Sequence, residues 1–187
     1  MLTRTALRFD GSLRAEQTRG LVLGEVATLP TKSLGLEAGA GAALGGSLEA
    51  GATTYDFSPG PAAVAGVAFR LLDEPLYFAH FTSQVSAVWS RTRHDGEASV
   101  PYSAYDLRLG GELGLNLVEV LHPYVVGRVF GGPVFWRYRG ESVTGTDIHH
   151  YQVGIGLGVG IARRLAVLAE AIPLGEQALS LGLSLSL

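Results

Sequence analysis

The sequence predicts an all-β protein, a single antiparallel up-and-down β-barrel of about ten strands that takes in the whole chain, residues 1–187. Three observations carry that reading. Apolar residues recur at every second position over most of the chain, which is the period of a strand and not of a helix. Clusters of turn-forming residues cut this pattern into segments. No stretch approaches the roughly 18 consecutive apolar residues that a membrane-spanning helix requires. The best candidate, Val153 to Ala162, is interrupted by glycine at every second position.

The expected strands are 3–16, 33–43, 46–56, 62–72, 76–92, 103–118, 123–138, 148–162, 165–172 and 177–187. Eight strands is the alternative if the Gly/Ala-rich region 33–56 or the short 165–172 is divided differently. Most segments reach the roughly 9 to 11 residues that a tilted strand needs to cross a bilayer. The first alternates from Thr3 through Glu16. The second and third are separated by Leu44-Gly45-Gly46, and the fourth and fifth by Asp73-Glu74-Pro75. In the sixth, Leu107, Leu109, Leu113 and Leu115 oppose Asp106, Arg108, Glu112 and Asn116. The seventh contains Pro133, which removes a ladder donor and so marks a local break or wall opening. The eighth sets Tyr151, Val153, Ile155 and Leu157 against Gln152, Gly154, Gly156 and Gly158, and the last sets Leu179 to Leu187 against Ser180 to Ser186.

Connections alternate in character. Leu44 to Gly46, Asp73 to Pro75, Glu119 to His122 and Arg163-Arg164 are short. Gln17 to Lys32, Asp56 to Pro61, Arg93 to Pro101, Arg139 to Thr146 and the brief Pro173 to Glu176 are mostly longer and more polar. Short turns at one rim and long loops at the other is the layout of outer-membrane barrels. The aromatic residues fit that layout. Trp89, Tyr102, Tyr105, Phe135, Trp136, Tyr138 and Tyr151 fall beside the long loops, and Phe69, Tyr77, Phe78, Phe81 and Tyr124 beside the short turns. Two aromatic girdles at opposite ends are expected, because amphipathic rings favour the headgroup region.

Composition narrows the class. Charged residues make up 17% of the chain, below the roughly 25% of a soluble domain. The net charge of −3 and the single lysine, Lys32, offer nothing to follow a phosphate backbone, so nucleic acid is excluded as a partner. The absence of cysteine excludes disulfides and thiolate metal sites. Residues 1–9 lack an apolar signal-peptide core and already alternate like a strand. Export would require a signal sequence, and the expectation is that one, or a longer N-terminal part, has been removed.

The polar phase decides which face is wet. It is mostly Gly, Ser, Thr and Ala with sparse charges of both signs, unlike the roughly 25–35% charged surface of a soluble protein. The charges expected on the lumenal side are Arg8, Asp10, Arg14, Glu16, Glu37, Glu49, Arg70, Arg108, Glu112, Arg128 and Glu170. A confined interior suits such a set, since buried charges must pair and small neighbours leave them room. The apolar phase then faces lipid, and closure leaves no backbone group unpaired. The network reads as a salt-bridged plug, or as a gate.

With this pattern the chain resembles the small bacterial outer-membrane β-barrel superfamily, of the OmpA, OmpX and OmpW kind. The most specific feature is the last strand, where Ser180, Gly182, Leu185 and Leu187 match the spacing of the insertion signal in such proteins. The family prefers Phe or Trp at the final position, where this chain has Leu187. The resemblance implies a Gram-negative outer-membrane location, contact with the lipid bilayer and lipopolysaccharide, and handling by the barrel-insertion machinery. Other envelope proteins are further partners it allows.

No catalytic motif emerges. His149 and His150 are adjacent, so alternation sends them to opposite faces. His150 with Ser142 or Asp147, and His94 with Asp95, are the nearest imitations of an outer-membrane hydrolase site, but spacing cannot establish the geometry. The glycine run 154–160 has the wrong spacing for a dinucleotide loop and lies within a strand, where it makes room for a bulky neighbour such as Arg128 or Glu170. The expectation is a non-enzymatic barrel without cofactor or metal, a structural or anchoring component of the envelope or the membrane domain of a larger assembly. A narrow channel or a transporter of small hydrophobic solutes is the alternative, and a soluble lipocalin-like carrier the second.

Overall fold

A computed structural model describes residues 1–10, 13–118, 120–162 and 165–185. These form one antiparallel sheet of thirteen strands: β1 (Leu2–Phe9), β2 (Arg14–Thr28), β3 (Leu34–Ala50), β4 (Thr53–Ser58), β5 (Gly60–Asp73), β6 (Tyr77–Arg93), β7 (Val100–Leu115), β8 (Leu121–Gly131), β9 (Val134–Tyr138), β10 (Glu141–Asp147), β11 (Tyr151–Ala162), β12 (Leu165–Gly175) and β13 (Gln177–Leu185). The expected turn residues Glu119, Arg163 and Arg164, and the terminal Ser186 and Leu187, lie outside the described residues.

The sheet closes twice, at two heights. In the lower section, here called the base, ten strands form a ring in the order β1-β2-β3-β5-β6-β7-β8-β11-β12-β13, and β13 returns to β1 through Leu2↔Leu179, Thr3↔Ala178 and Arg4↔Gln177. In the upper section, the crown, eight strands form a ring in the order β1-β2-β3-β4-β6-β7-β9-β10, and β10 returns to β1 through Leu7↔Asp147 to Phe9↔Gly145. The fold is therefore the all-β antiparallel barrel that the period-two pattern predicts, with ten strands in its wider ring.

Three transitions reduce ten strands to eight. β6 pairs with β5 over Phe78 to Val88 and with β4 over Arg91 to Arg93. β7 pairs with β8 over Leu107 to Gly114 and with β9 over Tyr102 to Ala104. β1 pairs with β13 near its start and with β10 near its end. Glycine stands at the first two crossings because the backbones touch. A Cβ on Gly60 would lie 2.0 Å from the Trp89 carbonyl oxygen, and one on Gly132 would lie 1.9 Å from that of Tyr105. Pro133 marks this transition and not a hole in the wall, for the Tyr105 N–H donates to its carbonyl at 3.1 Å.

Strand number sets width, and eight strands leave an interior just wide enough for side chains to fill. The crown is filled accordingly. Leu7, Phe9, Leu48, Tyr55, Phe57, Tyr102, Val134 and Trp136 form a buried apolar core there. Trp136 packs edge-on to Tyr55 at 5.0 Å and against Phe9 at 5.5 Å, and its Nε1–H donates to Thr92 Oγ1 at 2.8 Å. Outside the crown, Arg8, Arg14, Glu49, Arg91 and Arg93 are exposed. In the base the polarity is inverted. Leu181 and Leu183 are each 76% exposed, and Val85, Leu107, Leu113, Val125, Val129 and Ile155 are also exposed on the outer wall.

The strand boundaries depart from expectation in several places: the expected strand 46–56 takes in the end of β3 and the start of β4, and 123–138 takes in both β8 and β9, with β10 forming an extra hairpin strand in the expected loop 139–146. The first expected strand, 3–16, is a hairpin, because the chain reverses between Phe9 and Arg14; the expected loop 17–32 is mostly β2. The expected turn Leu44-Gly45-Gly46 is a bulge inside the continuous strand β3, opposite the register shift between Gly20 and Leu21. Positive φ angles at Gly45 and Gly46, 126° and 143°, suit glycine and bend the strand without ending it. The connections 74–76 and 116–118 lie at the free rim of the base, and the 94–99 loop and the β9–β10 turn lie at the crown.

Candidate functional site

The lumen of the base is lined by charged and amide side chains from β3, β6, β7, β8, β11 and β12, held in two guanidinium clusters. Under the crown, Arg108 donates from Nε to Asp106 Oδ2 at 2.6 Å, from Nη2 to Glu176 Oε2 at 2.8 Å and from Nη1 to Gln152 Oε1 at 3.2 Å. Gln152 Nε2 in turn donates to Glu176 Oε2 at 2.8 Å, and the guanidinium lies 4.9 Å from the Phe130 ring centroid. Lower down, Arg128 grips both oxygens of Glu170 at 2.7 and 2.8 Å and reaches Glu112 Oε1 at 3.4 Å, while the Tyr124 hydroxyl donates to Glu170 Oε2 at 3.3 Å. A third contact joins the Gln84 amide to Glu37. The forked, two-point geometry of Arg128 on Glu170 is the strong form of such a pair.

Alternation explains why these groups meet. Arg108 and Glu112 project to the same side of β7, and ladder pairing sets Gly110 directly opposite Arg128 on β8. Gly156 likewise sits opposite both Tyr124 and Glu170. The small residues make room, since a Cβ on Gly110 would lie 2.7 Å from Arg128 Cγ and one on Gly156 would lie 2.0 Å from Tyr124 Cζ. Carboxylates outnumber guanidiniums. Glu37, Asp106, Glu112, Asp147, Glu170 and Glu176 share the interior with Arg108, Arg128 and, higher up against Phe57 and Tyr102, Arg19, so the lining is acidic.

The expected lumenal set is thus divided. Glu37, Arg108, Glu112, Arg128 and Glu170 are brought together in the base. Arg8, Asp10, Arg14 and Glu49 are exposed on the crown, and Glu16 pairs there with Arg4. Their assignment to the lumen is corrected, for two reasons. In β1 and β2 the charged residues Arg8, Arg14 and Glu16 take the outward phase, while Leu7, Phe9 and Ala15 turn inward with Thr3, Thr5, Gln17 and Arg19. In β3 the bulge at Gly45-Gly46 adds one residue, so Glu37 and Glu49, in phase by number, point to opposite sides. Arg70 lies near the free rim of the base, paired with Asp73 at 2.6 Å and partly exposed. Among the insertion-signal positions, Ser180 and Gly182 pair with Glu170 and Leu168, and Leu185 pairs with Leu165.

Glu176 and Asp147 belong to the lumen but have no sequence signal, one being in an expected connection and the other in the extra hairpin. Asp106 and Gln152 were legible, since each shares the polar phase of its strand. The aromatic girdles also divide. Trp89, Tyr105, Phe135 and Tyr151 are exposed outward, whereas Tyr102 and Trp136 turn into the crown core and Tyr124 into the lumen. Tyr102 donates its hydroxyl to Gln17. The two candidate histidines contact backbone carbonyls. His94 Nδ1 lies 2.8 Å from the Thr54 carbonyl, His150 Nδ1 lies 3.2 Å from that of Phe130, and Asp147 accepts from Thr5.

These features define a closed antiparallel β-barrel with a charged lumen in its wide section and an apolar plug in its narrow one. No protein family and no curated protein matches the chain. A solved structure that resembles it is the transport unit of the autotransporter AIDA-I from Escherichia coli, with 14% identity, coverage of 99% of this chain and 88% of that one, and a TM-score of 0.46. At this level of identity and superposition nothing about activity is transferred.

Proposed function

We propose that the chain is an integral β-barrel of a Gram-negative outer membrane, closed by its crown, that serves as a structural or anchoring component of the envelope or as the membrane domain of a larger assembly. One observation carries the reading: the outward positions of β7 and β11 in the base bear no charge. Along β7 they read Tyr105, Leu107, Leu109, Gly111, Leu113 and Leu115, and along β11 Tyr151, Val153, Ile155, Leu157, Val159 and Ile161. Such a belt in water would be an apolar patch far beyond the few hundred Å² that soluble monomers expose. In lipid it is the ordinary outer face of a closed barrel.

Closure by the crown favours anchoring over conduction, since aromatic rings occupy the narrow section through which solute would have to pass. A soluble carrier would need an apolar lumen and a charged exterior over its whole height, an arrangement present in the crown alone. The periplasmic rim is then the free rim of the base. The test is reconstitution: the protein partitions into lipid vesicles and shows no stable unit conductance in a planar bilayer. A detergent-free, monodisperse protein would overturn the membrane reading, and a large steady conductance would overturn the anchoring role.

A further inference from the structure

The outer wall carries a notch where the barrel narrows. On both flanks of the β6–β7 pair one strand is exchanged for another, β5 for β4 beside β6 and β8 for β9 beside β7. Ten strands enclose more width than eight, so the wall steps inward there. The step leaves a groove of about 450 Å³ lined by Ala63, Ala65, Val85, Ala87, Leu107 and Pro133, with the Tyr105 ring at its upper end. Three rings form a row at that level: the Trp89 indole N–H donates to the Tyr105 hydroxyl at 3.0 Å, and Phe135 lies 6.1 Å from Tyr105 on the other side. One step further up, on the same outward face, stand two exposed arginines. Arg91 is opposite Pro101 in the ladder, and Arg137 lies beyond Pro101 on β9, next to the Tyr102↔Trp136 pair. Two ladder spacings separate them by about 10 Å, so their long side chains can close on one small group between them. Ser99 steers Arg91, accepting from Nε at 2.8 Å and from Nη2 at 2.6 Å, which leaves Nη1 for a ligand. Among the described residues neither arginine forms an ion pair, and the ladder sets Asp56 against Arg93, a step higher.

We propose that this column of the outer wall binds one phosphorylated acyl glycolipid, its phosphate monoester between Arg91 and Arg137 and one acyl chain in the groove below. The inference rests on the membrane reading above. The vertical order of the three chemistries selects the occupant. An apolar groove alone takes any hydrocarbon, and two arginines alone take any anion; an amphiphile with its anion at the upper margin of the belt meets both. The rings between them lie where aromatic side chains favour the headgroup region. Two guanidiniums without an acid match a phosphate monoester, which carries a charge of about −2 and three acceptor oxygens. A phosphodiester, with a single charge, would leave one of them uncompensated. With the free rim of the base periplasmic, the column lies in the outer leaflet, where acylated sugars carry the phosphate monoesters of a Gram-negative membrane.

The test titrates lipid A into the purified chain in micelles of an uncharged detergent. Binding is read from the emission of Trp89, since the other tryptophan, Trp136, is buried in the crown core, and the lipid bound per chain is counted by native mass spectrometry. A single lipid per chain is expected. Arg137→Gln weakens binding by about fivefold, the usual size for one arginine at an anionic membrane surface, and Arg91→Gln together with Arg137→Gln by roughly tenfold or more. Arg93→Gln, a step higher, leaves binding unchanged. Ala87→Leu fills the groove and weakens binding although both arginines remain, and lipid A stripped of its phosphates binds as weakly as in the double arginine variant. Heat-dependent gel migration equal to the parent's shows that each variant still forms the barrel; Arg137→Gln, on the exposed face, serves where Ala87→Leu does not fold. No stoichiometric lipid, or binding indifferent to Arg137→Gln or to Ala87→Leu in the folded protein, would overturn the proposal. Equal binding of phosphatidylglycerol would overturn it in favour of any anionic lipid. A parent chain that partitions into vesicles yet binds no lipid A fails this proposal alone, whereas one that stays monodisperse in water without detergent fails the membrane reading beneath it.

Discussion

Replacing Trp136 with alanine takes the largest ring out of the crown and tests whether that core is what closes the barrel. Trp136 is 2% exposed and lies within 5.0 to 5.5 Å, centroid to centroid, of Phe9, Tyr55 and Tyr138. Truncation of a buried Trp costs about 3–5 kcal/mol, through lost transfer energy and the cavity left behind. The Thr92 hydroxyl, fully buried and bonded to the Trp136 indole at 2.8 Å, also loses its partner, a further penalty of about 1–3 kcal/mol where nothing replaces it. Trp136→Phe separates the two effects, since it keeps most of the ring volume and loses only the N–H, so it should fall between the unaltered protein and the alanine variant. The assay is paired: the temperature at which the barrel unfolds on a denaturing gel, and single-channel current across a planar bilayer. The expected result is a lower unfolding temperature in the order Trp136→Phe then Trp136→Ala, with intermittent conductance in the alanine variant as the crown loosens. An alanine variant as heat-resistant and as silent as the parent would refute the idea that this core both stabilises and seals the barrel.

Three further substitutions probe the lumen and the outer wall of the barrel. Arg128→Ala leaves Glu170 and Glu112 without their cation and should destabilise more than Arg128→Ala combined with Glu170→Gln; denaturant titration of single and double variants measures the coupling, and strict additivity would mean that the lumenal pair is energetically silent. Gly156→Ala drives a Cβ to within 2.0 Å of the Tyr124 ring and should cost about 1–3 kcal/mol as an overpacked site, with recovery in the Gly156→Ala, Tyr124→Ala double variant; failure of the second change to help would discount the space-making role of the glycine. Leu109→Arg, on the outer wall of the base, should lower stability in lipid by about 2–4 kcal/mol, whereas Arg8→Ala, on the exposed crown, should stay within about 0.5 kcal/mol of the parent; equal effects in vesicle refolding would remove the distinction between belt and crown.

Much of this architecture was written in the local pattern. The alternation of Leu107, Leu109, Leu113 and Leu115 against Arg108 and Glu112 identifies both faces of β7 without any knowledge of its neighbours, because a strand sends successive side chains to opposite sides. The same holds for β11 and β13. The lumenal cluster of Arg108, Glu112, Arg128 and Glu170 was legible for that reason. The hairpin between β1 and β2 was not, because residues 3–16 keep alternating through the reversal, and the only local cue is a short polar stretch after Phe9. The bulge in β3 was misread as a turn because Gly45-Gly46 serves either purpose, and only pairing with β2 on one side and β4 and β5 on the other decides between them.

By itself the sequence determined the fold class, the period of every strand and the side on which the apolar residues of the base lie, since each of these depends on neighbours two residues away. Tertiary structure alone decided where ten strands become eight, and with that where the barrel turns inside out. Leu7 and Leu107 show the difference. Tyr102 turns into the crown core and Tyr105 outward, as alternation alone requires. Leu7 and Leu107, by contrast, are both strand leucines, and one is buried in the crown core while the other lies exposed on the outer belt. The physical reason is that width is a property of the closed ring: a narrow ring must be packed with apolar side chains, a wider one holds charges that find partners across it, and no stretch of chain carries the number of strands that will close around it.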